Sequence, residues 1–251
     1  MLLTIDIGNT NITGGIFVGE KLRYQFDIAT KTYTKNKLVK KISAYSEISA
    51  SIICSVVPRL TGVIQHDLKL FYGKTPYIIG KDLIVPIKNR YHLPKQVGQD
   101  RLVNAYAATH LYGSPLVIID SGTAITFDAV SKDQAYLGGL IFPGMNISLE
   151  ALKEKTALLP LVKLRPPAKL IGKDTKNSIL SGVVFGTAAL SKELAKMIKQ
   201  SLGKNTRIIG TGGNIALIKR YSGMKIKINK ELTLIGIKLV YENKSLAKRI
   251  I

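Results

Sequence analysis

The stretches Leu3-Thr4-Ile5-Asp6-Ile7-Gly8-Asn9-Thr10-Asn11 and Ile118-Ile119-Asp120-Ser121-Gly122-Thr123-Ala124 carry one local design twice. In each, an apolar run with β-branched residues ends on a carboxylate, and a glycine-containing turn of small polar residues follows. Such runs bounded by turn residues read as strands. Aligning Asp6 with Asp120 and Gly8 with Gly122 makes the second half of the chain a repeat of the first. An internal repeat of this kind means two structural units built on one plan.

Working outward from the first copy, the pattern predicts strands at 2–6, 12–18 and 22–28, joined by turns at Gly8-Asn9-Thr10 and Gly19-Glu20. A helix is expected at 37–45, a strand at 50–57, a Pro-initiated helix at 58–72 and a strand at 77–79. Beyond an irregular stretch with Pro86 and Pro94, a helix is expected from Asp100 to Tyr112, closed by Gly113. The plan then restarts with strands at 116–120, 124–130 and 135–141. Helices at 146–156 and 177–202, a strand at 207–209, a short helix after Gly213 and a last helix at 232–242 complete it. Strands alternating with helices in this order predict an α/β fold with mixed sheets, divided into units of residues 1–113 and 114–251 that face each other across a cleft.

The composition narrows the function classes. Hydrophobic residues make up 46% of 251 residues, which fits an ordered chain with a substantial core. No uninterrupted apolar run of about 18 residues is present, and Met1-Leu2-Leu3-Thr4-Ile5-Asp6 lacks the basic, then apolar, order of a signal peptide. The expectation is a cytoplasmic protein with no membrane partner. Cys54, the single cysteine, lies in an apolar run and reads as a buried, inert thiol. The formal charge is +21, but of 37 basic residues 29 are Lys and 8 are Arg, scattered along the chain. Bidentate phosphate and base recognition relies on Arg, so no specific nucleic-acid partner is expected. The same charge draws small anionic substrates.

Four motifs carry chemistry. In Asp6-Ile7-Gly8-Asn9-Thr10-Asn11, an acid beside backbone N–H groups and short polar side chains can hold phosphate oxygens and a hydrated Mg²⁺; alone, it reads equally as an Asx-type hairpin turn. Asp120-Ser121-Gly122-Thr123 repeats that physics, and the recurrence strengthens both readings. Gly98-Gln99-Asp100-Arg101 places a candidate base and an anion anchor at a helix start, where an acid also serves the helix dipole. The glycine-rich turns 138–144 and 210–214 each follow a strand and precede a helix, where backbone can approach a ligand closely. Thr175 stays open between a helix cap and a ligand contact. No Walker lysine loop, dinucleotide fingerprint or nucleophile elbow is present. His66, His92 and His110 have no metal-ligand spacing.

These motifs, in this order and spacing, resemble type III pantothenate kinase over nearly the whole chain. That family belongs to the acetate and sugar kinase, Hsp70 and actin superfamily. The resemblance implies a duplicated ribonuclease H-like, actin-like ATPase fold that phosphorylates pantothenate with ATP in the first step of coenzyme A biosynthesis. It implies that Asp6, Ile7, Gly8, Asn9, Thr10, Asn11, Ile12, Thr13 and Thr123 contact ATP, with Asp6 near Mg²⁺. It gives Asp100 the role of base, and Tyr91, Gly98, Gln99, Asp100, Arg101 and Thr175 as pantothenate contacts. Asp120 is implied as the ligand of a monovalent cation, K⁺ or NH₄⁺, and the active species as a homodimer. Gln99 stands where the family more usually has alanine. Two alternatives share the superfamily signature: a kinase for another alcohol, and an accessory protein for transcription.

Overall fold

The computed structural model describes residues 1–247. Two compact units are present, one of residues 1–88, 92–110 and 231–247, the other of residues 89–91 and 111–230.

In the first unit, β1 (Leu2–Ile7), β2 (Asn11–Val18) and β3 (Lys21–Ala29) form an antiparallel meander. After α1 (Lys35–Ile42), the chain returns as β4 (Ala50–Ser55), parallel to β1; α2 (Pro58–Tyr72) then leads to β5 (Tyr77–Ile78), parallel to β4. The sheet order is β3-β2-β1-β4-β5. β1 is its central strand, and Leu3, Thr4, Ile5 and Ile7 are all buried, as expected of a strand covered on both faces. Pro58 opens α2, where its missing N–H costs nothing, and Gly73 at φ +68° closes it. The expected limits of that helix hold to the residue. Helix α1 starts two residues earlier than the pattern predicts, because the Thr34 hydroxyl caps it by accepting from the Lys37 N–H at 3.3 Å.

Strand β6 (Lys88–Asn89) is followed by α3 (Gln99–Tyr112), of the first unit apart from its last two residues. The second unit then repeats the first: a meander of β7 (Leu116–Ser121), β8 (Ala124–Val130) and β9 (Ala135–Pro143), then α4 (Met145–Glu154) and α5 (Thr175–Leu202). The parallel strand β10 (Arg207–Thr211), α6 (Ile215–Ser222) and the parallel strand β11 (Lys227–Ile228) complete it. Its sheet order, β11-β10-β7-β8-β9-β6, is the order of the first sheet with β6 added at the meander's edge. The bulge recurs as well, between Ile16 and Phe17 on β2 and between Ala129 and Val130 on β8. The mixed-sheet, duplicated α/β architecture is therefore present. Among the described residues no helix is long and apolar enough to cross a membrane.

The grouping differs from a division at residues 113 and 114 in the last helix, α7 (Leu232–Ala247). It packs on β1 and β4 and so belongs with the first unit. Its apolar face, Leu232, Leu234, Ile237 and Val240, is buried there, and Lys238 bonds Glu20 and Glu242 at 2.8 and 2.7 Å. A Cβ on Gly236 would stand 2.6 Å from Val103 Cγ1 and 2.7 Å from the Val103 carbonyl oxygen, so α7 and α3 approach at this glycine. Gly62, in the second turn of α2, has open space where its Cβ would be. The same substitution should therefore act in opposite directions. Gly62→Ala should raise stability by about 0.5–1 kcal/mol through helix propensity, whereas Gly236→Ala should lower it by about 1–3 kcal/mol through overpacking. Urea unfolding of both variants measures this, and equal effects would refute the α3–α7 contact.

Candidate active site

In the first unit, Asp6 lies on β1 between Thr13 of β2 and Cys54 of β4. Its carboxylate is half-buried at the strand end, beside a turn whose Asn9, Thr10 and Asn11 are exposed. The turn is fixed from within by the Gly8 N–H donating to the Asn11 carbonyl at 2.9 Å. It is fixed from outside by Thr30, whose hydroxyl donates to the Gly8 carbonyl at 2.7 Å and whose N–H donates to the Thr10 carbonyl at 2.9 Å. Ile7 and Ile12 point into the core, so only their backbone is available to a ligand. The Thr13 hydroxyl is engaged with Asp27 at 2.6 Å.

Asp100 occupies the first turn of α3. Its Oδ1 accepts the Arg101 N–H at 2.8 Å, while the Gly98 carbonyl accepts the same N–H at 3.1 Å. Burial raises the Asp100 pKa above the ordinary carboxylate value, and the Arg101 N–H and guanidinium pull partly against it. Any Cβ on Gly98 would overlap Asp100 Oδ1, so the glycine is a steric condition for that carboxylate's position. Gln99 lies over Gly80, which at φ +86° has no side chain to obstruct it. Arg101 is buried.

The two acidic motifs converge. Burial pushes the Cys54 thiol well above its usual pKa, and the negative charges of Asp6 and Asp100 push it further. Two carboxylates separated by 94 positions thus act on one buried sulfur within the same unit.

In the second unit, Asp120 lies on β7 between Thr126 of β8 and Thr211 of β10, as Asp6 lies between its own neighbours. Gly212, at φ +86°, leaves the space that Asp120 Oδ1 requires, since a Cβ there would stand 2.5 Å from it. The Asn214 N–H donates to the Ser121 carbonyl at 3.1 Å, and the Gly144 N–H donates to the Thr123 carbonyl at 3.1 Å. The expected glycine turn at 138–144 is instead strand as far as Pro143, because β9 runs on beside β8, and only its end at Gly144, together with the loop 212–214, closes on Asp120-Ser121-Gly122-Thr123, leaving Gly122 and Thr123 exposed. Tyr91 is half-buried; its N–H donates to Asn89 Oδ1 at 2.9 Å, and its ring lies against Gly138. At α5 the cap is Asp174, which accepts the Asn177 N–H at 2.9 Å and the Asn177 side-chain N–H at 2.6 Å. These bonds lower its pKa. Thr175, the first helical residue, is exposed and takes no part in the cap.

Among the described residues no cluster of three or more His, Cys, Asp or Glu side chains could hold a metal ion. A single carboxylate beside an exposed turn suits Mg²⁺, which keeps most of its waters and shares substrate phosphates. Asp6 and its turn fit that requirement. Motif reading missed Thr30, the pairing of Asp6 with Cys54 and of Asp120 with Thr211, and the contact of Gly80 with Gln99. Only strand pairing reveals these.

Cys54 supplies a direct check. With its folded pKa raised, the thiol stays protonated while the unfolded thiol ionises near pH 8.5, so this group lowers stability as pH rises above about 8.5. At pH 8 the native chain should resist a thiol reagent that labels it fully in denaturant. Stoichiometric labelling of folded protein within minutes would contradict the burial of Cys54.

Comparison with known proteins gives a consistent result. The family model for type III pantothenate kinase matches residues 2–197. A type III pantothenate kinase of Dehalococcoides mccartyi (strain ATCC BAA-2266 / KCTC 15142 / 195) is 37% identical, over 96% of this chain and 97% of its own. Among solved structures, a conserved putative Baf family transcriptional activator from Campylobacter jejuni superposes with TM-score 0.60 at 19% identity, covering 97% of this chain and 98% of its own. A putative 2-dehydro-3-deoxygalactonokinase from Sinorhizobium meliloti gives TM-score 0.59 at 13% identity, over 97% and 96%. At such identities the superpositions speak for the fold alone.

Proposed function

The chain belongs to the type III pantothenate kinase family, and from that membership we propose how its own residues divide the work. The enzyme phosphorylates pantothenate at the expense of ATP, in the pathway to coenzyme A. Its fold is that of the actin-like ATPases and sugar kinases.

In the proposed division, the turn from Asp6 to Thr13 takes the ATP phosphates. Asn9, Thr10 and Asn11 are exposed there. Asp6, together with those phosphates, would hold Mg²⁺, which would neutralise charge on the transferring group. Thr123 makes a further ATP contact, and Asp120 holds a monovalent cation, K⁺ or NH₄⁺. Tyr91, Gly98, Gln99, Arg101 and Thr175 contact pantothenate. Asp100 orients the attacking hydroxyl and takes its proton late, since a loose transition state has little bonding to the nucleophile. Burial suits Asp100 to this role, because a raised pKa brings a carboxylate nearer the operating pH. What supports the reading is proximity within the first unit: Asp6 lies beside Cys54 in the β1–β4 register, and a Cβ at Gly98, which would abut Asp100 Oδ1, would stand 3.7 Å from Val56 Cγ1 just beyond the end of β4. We take the active species to be a homodimer without sequence-specific contact to nucleic acid, in keeping with the scattered, Lys-dominated charge.

Asp100→Asn should lower kcat by about 10²- to 10⁴-fold, on the order of 3–5 kcal/mol in barrier, with the KM for ATP nearly unchanged. Its stability at neutral pH should not fall, because a carboxylate whose folded pKa is raised weakens the fold once pH exceeds its unfolded value. Retention of more than half the wild-type kcat at saturating substrates would leave Asp100 as a helix-dipole residue only.

For Asp120, enzyme stripped of K⁺ and NH₄⁺ should be inactive in choline buffer and recover with KCl. Asp120→Asn should abolish that recovery while the protein stays folded. Equal turnover in choline and potassium would remove Asp120 from the mechanism.

A further inference from the structure

The repeat allows each position of the second unit to be compared with its counterpart in the first. Asp6 pairs with Thr13 and Asp120 with Thr126, and the bulges fall at Ile16/Phe17 and Ala129/Val130. By this register Asp128 of β8 corresponds to Gly15 of β2, Tyr136 of β9 to Leu22 of β3, and Gly138 to Tyr24.

The two versions differ in chemistry. In the first unit the pair is apolar: Leu22 Cδ1 lies 2.9 Å from where a Gly15 Cβ would be. In the second, the Tyr136 hydroxyl donates to Asp128 Oδ1 at 2.8 Å and the Thr126 hydroxyl donates to Oδ2 at 3.1 Å. Both Asp128 and Tyr136 are fully buried. An ionisable group in a core is costly and needs compensating partners. The first unit builds the same sheet without one, so the fold does not require it. The arrangement leads outward to Tyr91. The Tyr136 carbonyl accepts the Arg90 N–H at 2.8 Å, and the Tyr136 and Tyr91 ring centroids are 6.5 Å apart, a packed aromatic pair. Where the first unit carries Tyr24, Gly138 at φ +119° leaves the space that the Tyr91 ring fills, its Cδ2 3.1 Å from a would-be Cβ.

We propose that Asp128 and Tyr136 are positioning residues for pantothenate recognition: the buried hydrogen bond between them sets the place of the Tyr136 ring and backbone, and through these the place of Tyr91. This rests on the reading of Tyr91 as a pantothenate contact. Neither residue touches substrate. The Tyr91 ring lies against both Gly138 and the Tyr136 ring, and its backbone is held through Arg90 and Asn89. A Tyr136 ring without its hydroxyl keeps its volume but loses its anchor to Asp128.

The test is steady-state kinetics on Tyr91→Ala, Tyr136→Phe and Asp128→Asn, with pantothenate and ATP varied separately and thermal unfolding recorded for each. Tyr136→Phe should raise the KM for pantothenate by about tenfold, inside the roughly 10²-fold range that a small misplacement produces. Its kcat and its KM for ATP should stay within about twofold of wild type, the signature of lost uniform binding. Asp128→Asn keeps the shape and an acceptor oxygen, so its shift should be in the same direction and smaller. If Tyr91→Ala leaves the KM for pantothenate unchanged, the reading of Tyr91 fails and the proposal fails with it. If Tyr91→Ala raises that KM while Tyr136→Phe does not, Tyr91 stands and the positioning role is overturned. A parallel rise in both KM values with a lower unfolding temperature, or failure of both Tyr136→Phe and Asp128→Asn to fold, would make the pair a structural requirement and overturn the proposal as well.

Discussion

The parallel pairing of β1 with β4 is the constraint on which the first unit depends. It makes β1 an interior strand, with neighbours on both edges and apolar cover on both faces. An interior strand has one stable register, because a slip of one residue would turn Leu3, Ile5 and Ile7 away from the packing they share. That register in turn sets Asp6 opposite Cys54 and delivers its carboxylate to the strand end, beside an exposed turn. The polar chemistry is therefore placed by the apolar pattern behind it. The pairing of β7 with β10 does the same for Asp120, with Thr211 in the position of Cys54.

Duplication let one solution to strand packing carry two kinds of site. Both units use an acid at the end of the central strand followed by a glycine turn. The first adds a second acid from α3 and keeps Gly15 and Leu22 as plain packing. The second closes Gly144 and the loop 212–214 on the turn that follows its acid and places a carboxylate and a tyrosine in the core. Glycine works differently in the two settings. Gly98 and Gly212 are needed because a carboxylate oxygen occupies the space beside them, whereas Gly73 and Gly113 end helices with left-handed backbone.

Local chemistry explains what was legible in the sequence. The strands of both meanders, the limits of α2 and the acid–glycine turns could be read because each is signalled by neighbours in the chain: Gly8, Gly122, Pro58, Gly73. Starts of helices were less legible where a polar cap outweighed the apolar pattern, as with Thr34 before α1 and Asp174 before α5. The two-residue strands β6 and β11, Lys88–Asn89 and Lys227–Ile228, lack the apolar run Tyr77-Ile78-Ile79 that marks the equally short β5. The membership of α7 depends on packing between residues more than 200 positions apart, which no local pattern encodes. For the site, residue types at turns were visible and their neighbours were not. Asp128 illustrates this, since a polar residue in an alternating strand reads as solvent-facing until its partner Tyr136 is known.

The discontinuity of the first unit has a temporal consequence. Its sheet is written in the first 78 residues, yet the helix that covers β1 and β4 is the last of the described elements. During synthesis at about 5–20 residues per second, the 153 residues in between, 79–231, take on the order of 10–30 s to appear. For that interval the surface of β1 and β4 that receives Leu232, Leu234 and Ile237 has no partner from its own chain. The second unit, by contrast, is complete in sequence before α7 emerges. The later-made unit can thus mature first on the ribosome, while the N-terminal sheet waits, exposed to chaperones and to other nascent chains, for the final helix to seal it.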